Sequence, residues 1–92
     1  MNPESKIQSQ IIKYLESIGF FVFKIQSASK RGIPDLFAKK NEQIYFFEVK
    51  TDIGKLSPLQ KVSINKLNVG KEIAYMVRSV EEVKKILLHN RL

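Results

Sequence analysis

"RGIPDLFAKKNEQIYFFEVK" runs from Arg31 to Lys50, and its reading decides the fold. Two β-prone runs, PDLFAKK and QIYFFEVK, flank Asn41-Glu42, which is the layout of a β-hairpin. With the turn centred between Asn41 and Glu42, facing residues have numbers that sum to 83, so Asp35 faces Glu48. Side chains opposed in this way have Cβ atoms about 4.5–5.5 Å apart. Two carboxylates at that spacing repel each other and disfavour folding. Glu48 and Lys50, two positions apart, project from one face of the strand, while Val49 points the other way.

A bound divalent cation removes the repulsion. Hard cations such as Mg²⁺ are held by one or two carboxylates together with waters and phosphate oxygens. Lys50 offers another solution: it either neutralises the two acids or positions a water for attack on phosphorus. The plainer alternative makes Asp35 a turn residue after Gly-Ile-Pro and Glu48–Lys50 an ion pair on a solvated face. Ile44 and Phe46 share the Glu48 face, however, and Tyr45, Phe47 and Val49 form the opposite one. Both faces are therefore expected to be covered, with Glu48 at the edge of the core, where a carboxylate needs a partner.

Outward from the hairpin, Asn2-Pro3 reads as an N-cap and first helical position. Ile7, Ile11, Ile12, Leu15 and Ile18 follow at helical spacing, and Gly19 closes the helix. Phe20 to Ile25 is continuous and apolar, as in a strand covered on both faces. Gln26 to Gly32 is a polar, basic loop. After the hairpin, Ser57-Pro58 opens a second helix that Gly70 ends, and Glu72 to Val77 is a short strand. Ser79 with Glu82 forms a capping-box pattern for a last helix with Val80, Val83, Ile86 and Leu87 inward. The order α-β-β-β-α-β-α predicts an α/β fold, a mixed sheet flanked by helices, in one domain over residues 1–92.

Glu4 lies three residues before Ile7 and seven before Ile11, at the end of the buried helix face. It is either a first-turn acid favoured by the helix dipole or a ligand of the same acidic group. Gln60, at the third helical position after Ser57, completes a capping box without any further role.

The 92 residues carry 16 Lys+Arg against 9 Asp+Glu, a formal charge of +7. An excess of this size points to a polyanionic partner, usually nucleic acid, against the plainer reading of a basic soluble protein. There is no cysteine, which excludes disulfides, thiolate metal sites and cysteine nucleophiles. The start of the chain lacks a signal-peptide layout, and no apolar run approaches the roughly 20 residues of a membrane span. A cytosolic location is expected. His89 is the only histidine and lies near the C-terminus, so no Ser-His nucleophile is available.

Pro34-Asp35, twelve intervening residues and then Glu48-Val49-Lys50 resemble the PD-(D/E)xK nuclease superfamily. The helical Glu4, the spelling "GIPDL" and a helical Gln after "LSPLQ" resemble its VRR-NUC branch, in the small stand-alone form known from phage and bacteria. The resemblance implies a restriction-endonuclease-like fold and Mg²⁺- or Mn²⁺-dependent hydrolysis of DNA phosphodiesters, in a bacterial cell or phage-infected host. Asp35, Glu48 and the Val49 carbonyl would ligate the metal, with Glu4 as a further ligand. Lys50 would orient the attacking water and stabilise phosphate charge, and Gln60 would stand beside the site. No nucleotide cofactor or membrane is implied.

DNA contacts are expected from Ser27, Ser29, Lys30 and Arg31, whose donors suit phosphate oxygens, with Lys55, Lys39 and Lys40 as flanking candidates. Each of these lysines is equally readable as a solubilising charge. By analogy with the branch, a homodimer acting on branched DNA such as four-way junctions is expected, with outward apolar residues of the last helix contributing to its interface. Two rivals stand beside this reading: a nuclease from another branch, restriction-like or Holliday-junction-resolving, and a basic DNA-binding module that does not cleave.

Overall fold

In a computed structural model of the chain, residues 2–91 are described. The elements are α1 (Pro3–Ser17), β1 (Phe21–Lys24), β2 (Leu36–Lys40), β3 (Gln43–Val49), α2 (Pro58–Leu67), β4 (Ala74–Val77) and α3 (Val80–Asn90). This is the expected order. The N-caps are also those read from the residues, whereas α2 stops at Leu67 with Asn68 as its C-cap, before the expected Gly70. Asn2 accepts from Ser5 N–H at 2.7 Å, and Ser57 and Gln60 form a reciprocal capping box. At α3 only half of that box forms: Ser79 accepts from Glu82 N–H, but the Glu82 carboxylate reaches back one residue further, to Arg78 N–H at 2.6 Å.

The four strands lie in the order β1-β2-β3-β4. β1–β2 and β2–β3 pair antiparallel, and β3–β4 pairs parallel. In the hairpin Leu36 faces Phe47 and Lys40 faces Gln43, so the facing numbers sum to 83 as expected. The tight turn places Asn41 at φ 55°, a left-handed value that asparagine tolerates better than most residues.

One sheet face is the core. Val22, Ala38 and Tyr45 line up across three strands, as do Leu36 with Phe47 and Val49 with Val77. Ile11 and Leu15 of α1 and Val83 and Leu87 of α3 cover them. The other face carries Phe21, Phe23, Phe37 and Phe46 across β1–β3 and leads along β3 to Glu48. Phe21 is 66% exposed and Phe23 44% exposed, which corrects the expectation that this strand is covered on both sides. The reason is topological. β1 is an edge strand, and α2, the helix whose Gln60 reaches Glu48, packs over β4 and not over β1. A continuous apolar run cannot distinguish a doubly covered strand from one whose second face is left open.

The loop from Ile25 to Asp35 leans on the start of α2. Gly32 has φ +81°, and a Cβ there would lie 2.6 Å from the Leu59 carbonyl carbon and oxygen. Gly32→Ala therefore combines a left-handed backbone cost with a backbone collision, and is expected to destabilise the fold by about 2 kcal/mol or more. Urea denaturation measures this; a loss under about 0.5 kcal/mol would show that the loop yields freely.

Candidate active site

Asp35 ends the loop, one residue before β2. Its carbonyl accepts from Ile25 N–H at 2.7 Å, and its side-chain Oδ2 accepts from Val49 N–H at 2.8 Å. The side chain thus continues the β2–β3 ladder where main-chain pairing stops, and it locks Asp35 against the strand that carries Glu48. Charge-assisted bonds of this kind are about twice as strong as neutral ones.

Glu48 is the single charged side chain of the described residues that is buried, at 2% exposure. Its Oε2 lies 3.4 Å from Lys50 Nζ and accepts from Gln60 Nε2 at 3.2 Å. Its Oε1 is buried without a hydrogen-bond partner among the described residues. Burial, reinforced by the neighbouring Asp35 charge and only partly opposed by Lys50, raises the Glu48 carboxyl from the ordinary 4.5 to about 7.

The first turn of α1 reaches the same end of the sheet. One carboxylate oxygen from each of Glu4, Asp35 and Glu48 lies within 4.8 Å of the others. An orphaned buried oxygen, three converging hard oxygen donors and few compensating cations fit a divalent cation: Glu4, Asp35 and Glu48 would hold it, and Val49, as the strand residue between Glu48 and Lys50, offers a carbonyl.

The residues expected at the site divide by place. Glu4, Asp35, Glu48, Lys50 and Gln60 come together, with Val49 in the strand between. Both readings of Gln60 hold at once. Its Oε1 accepts from Ser57 N–H at 2.9 Å, completing the cap, while its Nε2 donates to Glu48. Ser27, Ser29, Lys30 and Arg31 are exposed on the loop preceding Asp35, and Lys55 is exposed on the loop following Lys50. Lys40 faces elsewhere: its ammonium donates to the Ile18 carbonyl and lies over the Phe20 ring, near the hairpin turn. Arg78 was not singled out from the sequence. Its Nη1 donates to the Gly54 carbonyl at 2.8 Å and to that of Thr51, in the loop after Lys50. No local sequence signal announces a contact 24 and 27 residues away.

A family model described as archaeal Holliday junction resolvase (hjc) matches residues 4–88. A solved structure titled VRR_NUC domain superposes with a TM-score of 0.84 at 25% identity, over 97% of this chain and 98% of that one. UPF0102 proteins of Thermotoga petrophila and Thermotoga maritima are 29% identical over 69 residues, 73% of this chain. The chain spans 64% of the length of these curated relatives. The fold is therefore restriction-endonuclease-like, of the VRR-NUC type.

Without metal, folding takes up a proton at Glu48 between about pH 4.5 and 7, because the folded carboxyl holds it and the unfolded one has released it. Stability in EDTA is thus expected to fall by about 1–3 kcal/mol as pH rises through that window. Glu48→Gln should flatten the curve. Urea melts at several pH values check this, and equal slopes in the two proteins would refute it.

Proposed function

The chain belongs to the archaeal Holliday junction resolvase family, and from that premise we propose that it is a metal-dependent DNA endonuclease selective for branched substrates such as four-way junctions. The observation that carries the reading is the convergence of Glu4, Asp35 and Glu48 within 4.8 Å, with one Glu48 oxygen buried and without a hydrogen-bond partner among the described residues. Both the archaeal resolvase family and the VRR-NUC fold support it, and so join two branches that the sequence alone held apart.

Mg²⁺ or Mn²⁺, when bound, would lower the pKa of a coordinated water and offset negative charge on the scissile phosphate. The chain's own groups do the rest. Glu4, Asp35, Glu48 and the Val49 carbonyl would hold the metal. Gln60 donates to Glu48 Oε2 and so fixes the carboxylate plane, leaving Oε1 free to ligate. Lys50 orients the attacking water and places its ammonium against the phosphate, a role that suits a compact cation with mobile donors. Ser27, Ser29, Lys30, Arg31 and Lys55 contact phosphates on the two loops that border the site. Such contacts position the backbone without reading sequence, which fits selection by DNA shape.

A labelled four-way junction and a matched linear duplex, incubated with Mg²⁺, Mn²⁺ or EDTA, test the reading. Metal-dependent cutting of the junction is expected, reduced at least about 100-fold in Glu48→Ala. Equal cutting of both substrates would leave a nuclease without structure selectivity. No cutting with either metal would favour the non-cleaving DNA-binding module.

We further propose that two copies pair, so that two sites meet two strands of a junction. The open phenylalanine face supports this. Phe21–Phe23, Phe23–Phe37 and Phe37–Phe46 ring centroids lie 5.7, 5.0 and 5.4 Å apart. Lys39 is the one basic residue whose register places it in that ladder. Two +7 chains can approach there with little cation repulsion, whereas a base-stacking platform needs a cationic groove beside its rings. The exposed rings offer roughly 300–400 Å², about half of what one partner contributes to a standard interface, with the polar rim left to supply the remainder. By contrast, the last helix leaves Leu88 exposed but buries Val83 and Leu87. Light scattering is expected to show a dimer, converted to monomer by Phe21→Glu with Phe23→Glu. A dimer unaffected by that pair would move the interface elsewhere.

A further inference from the structure

Lys50 directly follows the last residue of β3, and alternation along that strand turns its side chain to the Glu48 face without fixing the path of the stem. Its own N–H donates to the Val77 carbonyl at 3.0 Å, which fixes its backbone only. The side chain instead lies on the turn that follows. Gly54 N–H closes that turn on the Thr51 carbonyl at 3.1 Å. A Cβ added at Gly54 would stand 3.3 Å from both Cβ and Cδ of Lys50 and 3.4 Å from Thr51 N. A side chain at Gly54 would therefore push the lysine stem or the turn aside by a few tenths of an ångström.

The turn is itself held from behind. Arg78, just past the end of β4, spends both hydrogens of Nη1 on the Thr51 and Gly54 carbonyls. No carboxylate among the described residues forms an ion pair with it. Its backbone N–H is in turn fixed by Glu82 of α3 at 2.6 Å. A line of contacts thus runs from α3 through Glu82, Arg78 and the Thr51–Gly54 turn to the stem of Lys50, whose ammonium ends 3.4 Å from Glu48.

We infer that Gly54 and Arg78 are positioning residues for Lys50: Arg78 holds the turn, and the bare Cα of Gly54 lets the lysine stem lie against it so that the ammonium meets the site. The inference rests on the catalytic reading of Lys50 given above. A misplacement of about 1 Å in such a group costs up to 100-fold in rate.

Gly54→Ala is the decisive variant, because Gly54 lies in a loop at an ordinary backbone angle, so the fold is expected to survive. Single-turnover cleavage of the junction with Mn²⁺ should fall at least about tenfold, with junction affinity and the Mn²⁺-induced rise in Tm unchanged. Arg78→Ala should lose activity similarly, and Arg78→Lys, which cannot reproduce the guanidinium geometry, should restore little. Combining Gly54→Ala with Lys50→Ala should cost no more than Lys50→Ala alone, since both act through one side chain. Losses that multiply, or a Gly54→Ala rate within twofold of the parent, would overturn the inference. Full activity in Lys50→Ala would instead remove the premise, and is distinguishable from either result. A readout independent of turnover is the Lys50 side-chain resonance in ¹³C-lysine-labelled, metal-free protein, identified by its loss in Lys50→Ala. It should shift in Gly54→Ala, and an unchanged resonance would also overturn the inference.

Discussion

The bond from Val49 N–H to the Asp35 carboxylate organises the functional end of this molecule. β2 as a ladder begins only at Leu36, so the residue before it has no main-chain hold on β3. The side chain supplies that hold. It keeps Asp35 in register with Glu48 although the two charges repel, and so fixes two ligand candidates at a distance neither would choose. Replacing the carboxylate by hydrocarbon would relieve the repulsion but orphan a backbone N–H, at about 1–3 kcal/mol if buried. Structure and proposed chemistry thus depend on the same atom.

Glu48 shows the cost of this arrangement. It is buried, faces a second acid, and has one oxygen without a partner. Lys50 and Gln60 both address the other oxygen. Three acids against one nearby ammonium leave a deficit of positive charge in a chain that otherwise carries +7. Proteins concentrate such strain where it is used: a raised carboxyl, a desolvated oxygen and converging ligands are conditions that a divalent cation relieves and that a stability-driven sequence would avoid.

Much of this was legible in the residues. The hairpin register followed from one assumption about the turn, and alternation then placed Asp35, Glu48 and Lys50 on one face without any tertiary information. Helix starts were legible because caps are local hydrogen-bond chemistry within three or four residues. Two kinds of feature were not. Whether the Phe21–Phe23 face is covered depends on where α2 comes to rest, which no strand encodes. The Arg78 contact joins segments more than twenty residues apart, and an isolated arginine after a strand has no pattern to mark it. Gln60 was legible as a cap, but its second bond needed the fold.

The two faces of the sheet divide the labour, and the division explains why so small a chain can hold a strained site. On one side α1 and α3 bury a continuous hydrocarbon layer against Val22, Ala38, Phe47, Val49 and Val77. That layer carries the stability and contains no charged side chain among the described residues. On the other side the same strands present Phe46 and then Glu48, two residues further along β3, so the carboxylate inherits its position from a strand already fixed by the opposite face. Val49 links the two roles: its side chain lies in the core, while its N–H holds Asp35. Rigidity is therefore delivered to the site through the backbone of β3 and the Asp35 bond to it, and Glu48 itself need contribute nothing to folding.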